Sequence, residues 1–503
     1  MRLKDNRPVT SQAGTSNKPS QIEMQSLSAS IEDIFSPIQW IPPDVLQEIF
    51  LYCLPVHPTI QSASPVISSL SRVSPTWRAV VLLSPRLWSR LFVTVQYEDD
   101  LDHCTQMVTR WFQHARSVPL SFFLNIDFEA FDDDIACMRS FLVGLSSLML
   151  RVQHFGLHAR LTTDLLCSFV DLKWELPLLK KLYLFSHADL DQVEAVEFSV
   201  PLFQTAPNLV QVAIQNAITS AHDVQHILPW SQLTRTTIAY SIPISRWIEV
   251  MQMCPMMLTC GVFFDKHYEV DSSPLASYSP NGIHHSLERL YLDILEGGPP
   301  FLKLLSIYNF SSLQTLYVFY HSEPLHDFPP PHGISALANL REFSFYAAGQ
   351  KFSREHFTHM AEILCEMVNL EVLEFQQPTQ DFVPLYVAIS FKQSEKLAML
   401  PRLSTFKLWI STWSVVEKDV EFRPLFEMLS SRCEEDTILV GHKPLREFVV
   451  RVESEDIYER IRTIFGPWVG GLPPQLRVSI DLSPSVGDVS SQPDGWTYPI
   501  IGE

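Results

Sequence analysis

Glycine is scarce in this chain, 16 among 503 residues. Loops that cradle phosphate or a dinucleotide need glycine where the backbone approaches its ligand closely. No Gly-x-Gly-x-x-Gly, no Gly-Lys-Ser/Thr phosphate loop, no Gly-x-Ser-x-Gly and no His-Glu-x-x-His occurs. These absences remove the common nucleotide-binding, hydrolase and zinc-protease classes, and catalysis by the chain itself is not expected. Cysteine is thin as well: eight, at positions 53, 104, 137, 167, 254, 260, 365 and 433, with no Cys-x-x-Cys. Such spacing excludes a zinc ribbon or a disulfide framework, and the cysteines read as reduced core residues of an intracellular protein. Basic residues are outnumbered 37 to 56, and the net charge of -19 argues against nucleic acid as a main partner. There is no run of apolar residues long enough to span a bilayer and no signal-peptide core at the start, so no membrane association is expected. The expected compartment is the cytoplasm, the nucleus or both.

Two groups of potential metal ligands are present. Asp132-Asp133-Asp134 directly precedes a predicted helix, where carboxylates complement the positive end of the dipole. His284-His285 has no third ligand at a telling spacing. Neither calls for a metal, and no cofactor is expected.

The length admits two or three domains. Residues 1–36, rich in Ser, Gln, Asn and Thr, read as a disordered tail, and 483–503, rich in Ser, Pro, Gly and Asp, as a flexible one. Residues 37–92 read as a helical module. Pro42 and Pro43 suit a first helical turn, and Leu46, Ile49, Phe50, Cys53 and Leu54 follow at i, i+3, i+4, i+7 and i+8. After a Pro-rich connection from Pro55 to Ser64, Ser74-Pro75 starts a helix carrying Trp77, Val80 and Val81, and Ser84-Pro85 starts another carrying Leu87, Trp88 and Leu91. Three short helices bury little core between them, so this much apolar surface asks for a partner. Arg72, Arg78, Arg86 and Arg90 against Asp44 and Glu48 leave the stretch locally basic.

The ordered series Ile41-Pro42, Asp44-Val45-Leu46, Ile49-Phe50, Val73, Trp77-Arg78 and Leu87-Trp88 resembles the F-box, a helical module that docks on a Skp-family adaptor. Ser74 stands where the family often has Cys, Ile41 where it has Leu, and the connection between the first helices is longer. The resemblance implies adaptor contacts by Pro42, Pro43, Leu46, Ile49, Phe50, Leu54, Val73, Trp77, Arg78, Leu87 and Trp88. Through the adaptor it implies a cullin and ubiquitin transfer by other subunits. The competing reading makes these simply core helices of an N-terminal domain.

Residues 93–150 alternate strand and helix patterns and read as an α/β connecting region packed on the repeats beyond it. From Val152 an apolar residue is followed at +3 and +5 by two more. The copies begin at Val152, Leu179, Leu209, Leu287, Leu313, Leu340, Leu370, Leu403 and Leu445, with weaker ones at Leu233 and Met257. Intervals run from 24 residues (Leu209 to Leu233) to 42 (Leu403 to Leu445) and bracket the leucine-rich-repeat period. The Asn or Cys that such repeats carry at +8 is replaced by His187, Ala217, Leu295, His321 and Ala348. The expected fold class is therefore α/β: a three-helix F-box, then an irregular leucine-rich-repeat-like solenoid with a parallel sheet over 151–482. An ordinary α/β domain with parallel strands is the alternative.

In each strand the residues at +2, +4 and +6 point away from the helices. Tyr183, Phe185, Tyr291, Tyr317, Phe319, Tyr346 and Trp409 form the candidate substrate-binding stripe on that concave face, since aromatics often anchor interfaces. Packing of these rings on one another is the competing reading. The expected function is the substrate-recognition subunit of a Skp-cullin-F-box ubiquitin ligase, with an interaction scaffold lacking a ligase role as the alternative.

Overall fold

The computed structural model describes residues 41–96, 100–126, 135–159, 172, 174–185, 203–215, 228–242, 244–264, 282–283, 286–295, 301–320, 334–347, 354–376, 383–390, 399–410, 422–433 and 442–482. The two tails, Asp132–Asp134 and His284-His285 lie outside the described residues.

The pattern of apolar residues at +3 and +5 becomes one long sheet. Its strands are β1 (Arg90–Val95), β2 (Leu120–Ile126), β3 (Val152–Ala159), β4 (Lys181–Phe185), β5 (Gln211–Gln215), β6 (Arg235–Ser241) and β7 (Thr259–Phe264), followed by β8 (Arg289–Ile294), β9 (Thr315–Tyr320), β10 (Glu342–Ala347), β11 (Val372–Gln376), β12 (Thr405–Ile410), β13 (Glu447–Val452) and β14 (Arg477–Leu482). The fourteen strands lie in chain order. Neighbours pair in parallel throughout, for example β4 with β5 and β9 with β10. Register aligns the +3 residues Leu290, Leu316, Phe343, Leu373, Phe406 and Phe448 in one row, and the +5 residues Leu292, Val318, Phe345, Phe375, Leu408 and Val450 in another. Both rows belong to the same core as the helices between strands, such as Ile244–Met253 and Arg423–Cys433. The leading residues Leu179, Leu209, Leu233, Met257, Leu287, Leu313, Leu340, Leu370 and Leu403 have no exposed surface. Even the weak copies at Leu233 and Met257 lead full members of the sheet.

The sheet also begins earlier than Val152. Trp88, Leu91 and Val93 carry the same +3, +5 spacing, Trp88 leading into β1 and the other two buried in it, and Phe122 with Leu124 are buried in β2. The connecting region is thus not set apart: β1 and β2 continue the sheet of β3 without a break. Helices α1 (Pro43–Cys53), α2 (Ile60–Val73) and α3 (Pro75–Leu83) precede it, with a short 3-10 turn at Pro85–Trp88. α2 corrects the reading of 55–64 as a plain connection. Thr59 caps it, its hydroxyl accepting from the Ser62 amide at 3.1 Å while Ser62 Oγ accepts from the Thr59 amide at 3.0 Å. Its buried face is set by Ala63 and Ile67, with Ile60 and Leu70 packed beside them.

Of the five +8 positions named above, none of them Asn or Cys, only Leu295 is described. Another set of bonds ties repeats together ahead of six of the strands, from the residue just before the leading apolar position, with Leu476 leading β14. Asn208 Nδ2 donates to the Pro177 carbonyl at 2.6 Å, Gln232 Nε2 to Ala206 at 2.7 Å and Ser286 Oγ to Pro255 at 2.7 Å. Asn339 Nδ2 donates to Ser311 at 3.1 Å, Asn369 Nδ2 to Ala338 at 2.7 Å and Gln475 Nε2 to Cys433 at 2.9 Å. Each bond ties one repeat to its predecessor, satisfying a carbonyl that leaves regular pairing. Arg432 serves similarly: wholly buried, it donates from Nε to Ile389 and from Nη1 to Leu400, both at 2.9 Å, and from Nη2 to Met399. Leu400 there has φ 55°, so the guanidinium braces a left-handed turn.

Asn369→Ala removes one rung and leaves the Ala338 carbonyl without that donor. It should lower stability by about 1–2 kcal/mol, measured as a shift in the urea midpoint against Asn→Ala at a position outside the ladder.

Candidate functional site

The N-terminal module sorts the resemblance-derived docking residues into two groups. Leu46, Phe50, Leu87 and Trp88 are buried. Phe50 packs against Trp77 with ring centroids 4.8 Å apart, and Trp88 Nε1 donates to the Val81 carbonyl at 3.1 Å. These four cannot touch a partner directly, because the three helices and β1 close over them; they hold the module's shape. Leu54 and Trp77 are half-buried, whereas Pro42, Pro43, Ile49, Val73 and Arg78 are exposed. Arg78 is tied to its own module, its Nε donating to the Ser71 carbonyl at 3.0 Å.

The outward side of α1 is apolar in a way that the inward pattern hides. Val45, Ile49 and Tyr52 follow at i, i+4 and i+7, on one helical face away from Leu46 and Phe50, and Tyr52 is 90% exposed. Leu82 and Leu83 at the end of α3 and Val56 beyond α1 are also exposed. Glu48, beside the stripe, pairs with Arg86 and joins α1 to the 3-10 turn.

The module is fastened to the sheet. The Phe92 amide donates to the Pro58 carbonyl at 2.8 Å, and Thr59 bridges Phe92 as a short extension of the sheet beyond β1. On the open face a run of rings continues this attachment. His57 meets Phe92 edge-on at 4.6 Å, Phe92 stacks on Phe123 at 4.6 Å and 6°, and Phe123 stacks on Tyr183 at 5.7 Å and 19°. Phe123 reaches Tyr183 across β3 only because Gly156 lies beneath it; a Cβ at Gly156 would stand 2.0 Å from Phe123 Cδ1.

The open-face aromatics are less available than their spacing implies. Tyr183, Phe185, Tyr291, Tyr346 and Trp409 are buried, and only Tyr317 and Phe319 are half-buried. In-register parallel strands set side chains of one row roughly 4.8 Å apart, a ring-stacking distance. Accordingly Tyr291 stacks on Tyr317 at 4.7 Å and 4°, and Tyr346 meets Trp409 edge-on at 5.4 Å. Among them sits Glu374, 1% exposed, accepting from Arg451 Nη1 at 2.9 Å. Lys407 Nζ lies 4.0 Å from Glu342 Oε1. Burial, with Glu342 beside it, raises the Tyr317 phenol far above its usual range, so it stays protonated. The stripe is thus a set of stacks around an ion pair, and a charge placed at Trp409 would enter the interior.

Further along, His154 is pushed down to about 4, first by burial and then by Lys181, Arg90 and Lys180. Ser121 Oγ lies 3.0 Å from its Nδ1. Among the described residues no three His, Cys, Asp or Glu side chains come together as a metal-sized group. Among the same residues no helix is long and apolar enough to cross a membrane.

No protein-family model matches the chain, and no curated protein matches it in sequence. Among solved structures, the leucine-rich repeat-containing protein LegL7 from Legionella pneumophila is similar with a TM-score of 0.30 at 12% identity, over 75% of this chain and 90% of that one. The TLR13–ssRNA13 complex is similar with a TM-score of 0.30 at 14% identity, over 66% of this chain and 45% of that one. At these values neither likeness carries a function across.

Gly156→Ala should cost about 1–3 kcal/mol by displacing the Phe123 ring, and the cost should vanish in a Phe123→Ala background; a thermal-melt double-mutant cycle reads this. His154, lowered in the folded chain, makes stability rise with pH: between about 4 and 6.5 the unfolded chain binds a proton that the folded chain refuses. His154→Gln should flatten the fall in melting temperature from pH 6.5 towards pH 4 while changing little above pH 7.5.

Proposed function

We propose that this chain is a substrate receptor of a Skp-cullin-F-box type ubiquitin ligase: the N-terminal module docks the Skp-family adaptor and the repeat sheet captures a target protein. The observation that carries the reading is the apolar stripe Val45, Ile49 and Tyr52 on α1, next to a module whose inner residues keep the F-box order. An apolar side chain such as Tyr52, 90% exposed, is stabilised by a partner that covers it. The direct contacts are then Val45, Ile49, Tyr52, Pro42 and Pro43, with Leu82, Leu83 and Val73 as neighbours in the module, while Leu46, Phe50, Leu87 and Trp88 position them. The chain contributes no chemistry of its own in this reading. Transfer is accelerated because adaptor and target sit on one body, which raises the local concentration of target lysines. The short connection between module and sheet, closed by the Phe92–Pro58 hydrogen bond, favours a fixed separation between the two.

The variant Ile49→Asp with Tyr52→Asp places charge on exposed positions of α1. Co-purification with a Skp-family adaptor should weaken by at least about thirtyfold, while the melting temperature stays within a degree or two of the parent. Full retention of the adaptor by this variant would sink the docking assignment. A parent chain that keeps the adaptor but brings down no cullin would instead be an interaction scaffold without a ligase role.

A further inference from the structure

The open face of the sheet divides by charge. At its first row of open-face positions β1 carries Arg90, β4 Lys181 and β6 Arg235, aligned by the parallel register with the uncharged Ser121, His154 and Gln211 between them. The next row carries Phe92, Phe123 and Tyr183. No Asp or Glu stands at any described open-face position of β1 to β7. On β8 to β14 these two rows and the one after them hold Asp293, Glu342, Glu374, Glu447 and Asp481 against Arg289, Lys407, Arg451 and Arg477. The cationic half therefore stands out on a chain whose net charge is -19. Arg90 and Arg235 are both exposed. Burial first, and then the charges of Lys181, Arg90 and Lys180, lower the His154 imidazole within this row.

We propose that the β1–β7 half of the open face binds an extended acidic peptide segment of a partner protein. The inference gives a chemistry to the target-binding half of the function proposed above and rests on that half. Arg90 and Lys181 are three strands apart, Lys181 and Arg235 two, hence about 14 and 10 Å at the usual strand spacing. An extended peptide crossing the strands, at about 3.4 Å per residue with alternate side chains on one face, turns carboxylates four and then two residues apart toward the sheet, about 14 and 7 Å, and the long Arg235 side chain spans the remaining few ångströms. Apolar residues between the carboxylates fall beside the half-buried rings of Phe92 and Phe123. Nucleic acid fits less well. Its evenly spaced phosphates would run past a patch only about 24 Å wide, five strand spacings, into the carboxylates of β8 to β14 and the field of an acidic chain.

The test uses the full chain and a fluorescein-labelled peptide of eight to ten residues with Glu at positions 1, 5 and 7 and Leu or Ser elsewhere. Fluorescence anisotropy should show saturable binding that weakens with salt. Binding should fall at least about tenfold in the double variant Arg90→Ser, Arg235→Ser. It should be unchanged in Arg477→Ser, which removes an exposed cation at the far end of the sheet. A peptide with Gln in place of Glu should bind at least about tenfold more weakly. The proposal is overturned if the parent does not bind the peptide, if the double variant binds as the parent does, if the Gln peptide binds equally, or if a single-stranded DNA oligonucleotide binds more tightly than the peptide. Adaptor co-purification is measured on the same variants. Loss of peptide binding with the adaptor retained counts against this inference alone when it is the parent that fails to bind, and the reverse outcome counts against the docking assignment alone.

Discussion

Parallel, in-register pairing is the constraint that governs every other feature of this molecule. Once fourteen strands lie side by side in chain order, a residue's neighbours are its counterparts in the adjacent repeats rather than its neighbours in sequence. Rows become the units of physics. An apolar row is a strip of core, as in Leu316, Phe343, Leu373 and Phe406. An aromatic row turns into stacks, and a row without carboxylates turns into a field. The same constraint explains why weak copies of the pattern still form strands. With Leu209 and Leu287 already in place on either side, Leu233 and Met257 need only a compatible spacing, not a strong signal of their own.

Much of this was legible in the chain. The +3, +5 spacing located eleven strands, and the capping signals at Ser74 and Ser84 started helical turns where the structure has them. What escaped did so for physical reasons. Trp88, Leu91 and Val93 carry the repeat spacing, but inside a stretch whose helical order is the stronger signal, so the spacing alone starts the sheet too late. α2 is rich in Ser and holds Pro65, and composition of that kind masks a helix whose cap and buried face are nonetheless present. The rungs at Asn208, Gln232, Asn339 and Asn369 sit one residue before the leading apolar positions Leu209, Leu233, Leu340 and Leu370, a recurring amide that can be read from sequence once the turns are known to need it. The open-face aromatics show a limit of another kind. Alternation tells which face a side chain leaves from, not whether its neighbours in three dimensions then cover it.

The helical module and the sheet share residues rather than merely adjoining. Trp88 is at once the module's last buried side chain and the first leading residue of the sheet, and Phe92 pairs with Pro58 and Thr59 on one side and with β2 on the other. α1 is thus tied towards the sheet by packed rings, among them Phe50 on Trp77, Trp88 on Trp111 and Phe92 on Phe123. Of the candidate stripe, Tyr183 joins this run by stacking on Phe123.

The two ends of the sheet are finished differently among the described residues. At β1 the outer edge is met by Pro58 and Thr59 and overlaid by the helical module, whereas β14 is the last described strand of the sheet and its residues are at best half-buried. In a linear array whose cohesion comes from nearest neighbours, the less finished end is where opening costs least. The chain should therefore fray directionally, peeling from β14 towards the middle while the module end holds. Protease nicking or hydrogen exchange would advance along it as a front, so the half of the face that carries the cationic rows is also the half that stays folded longest.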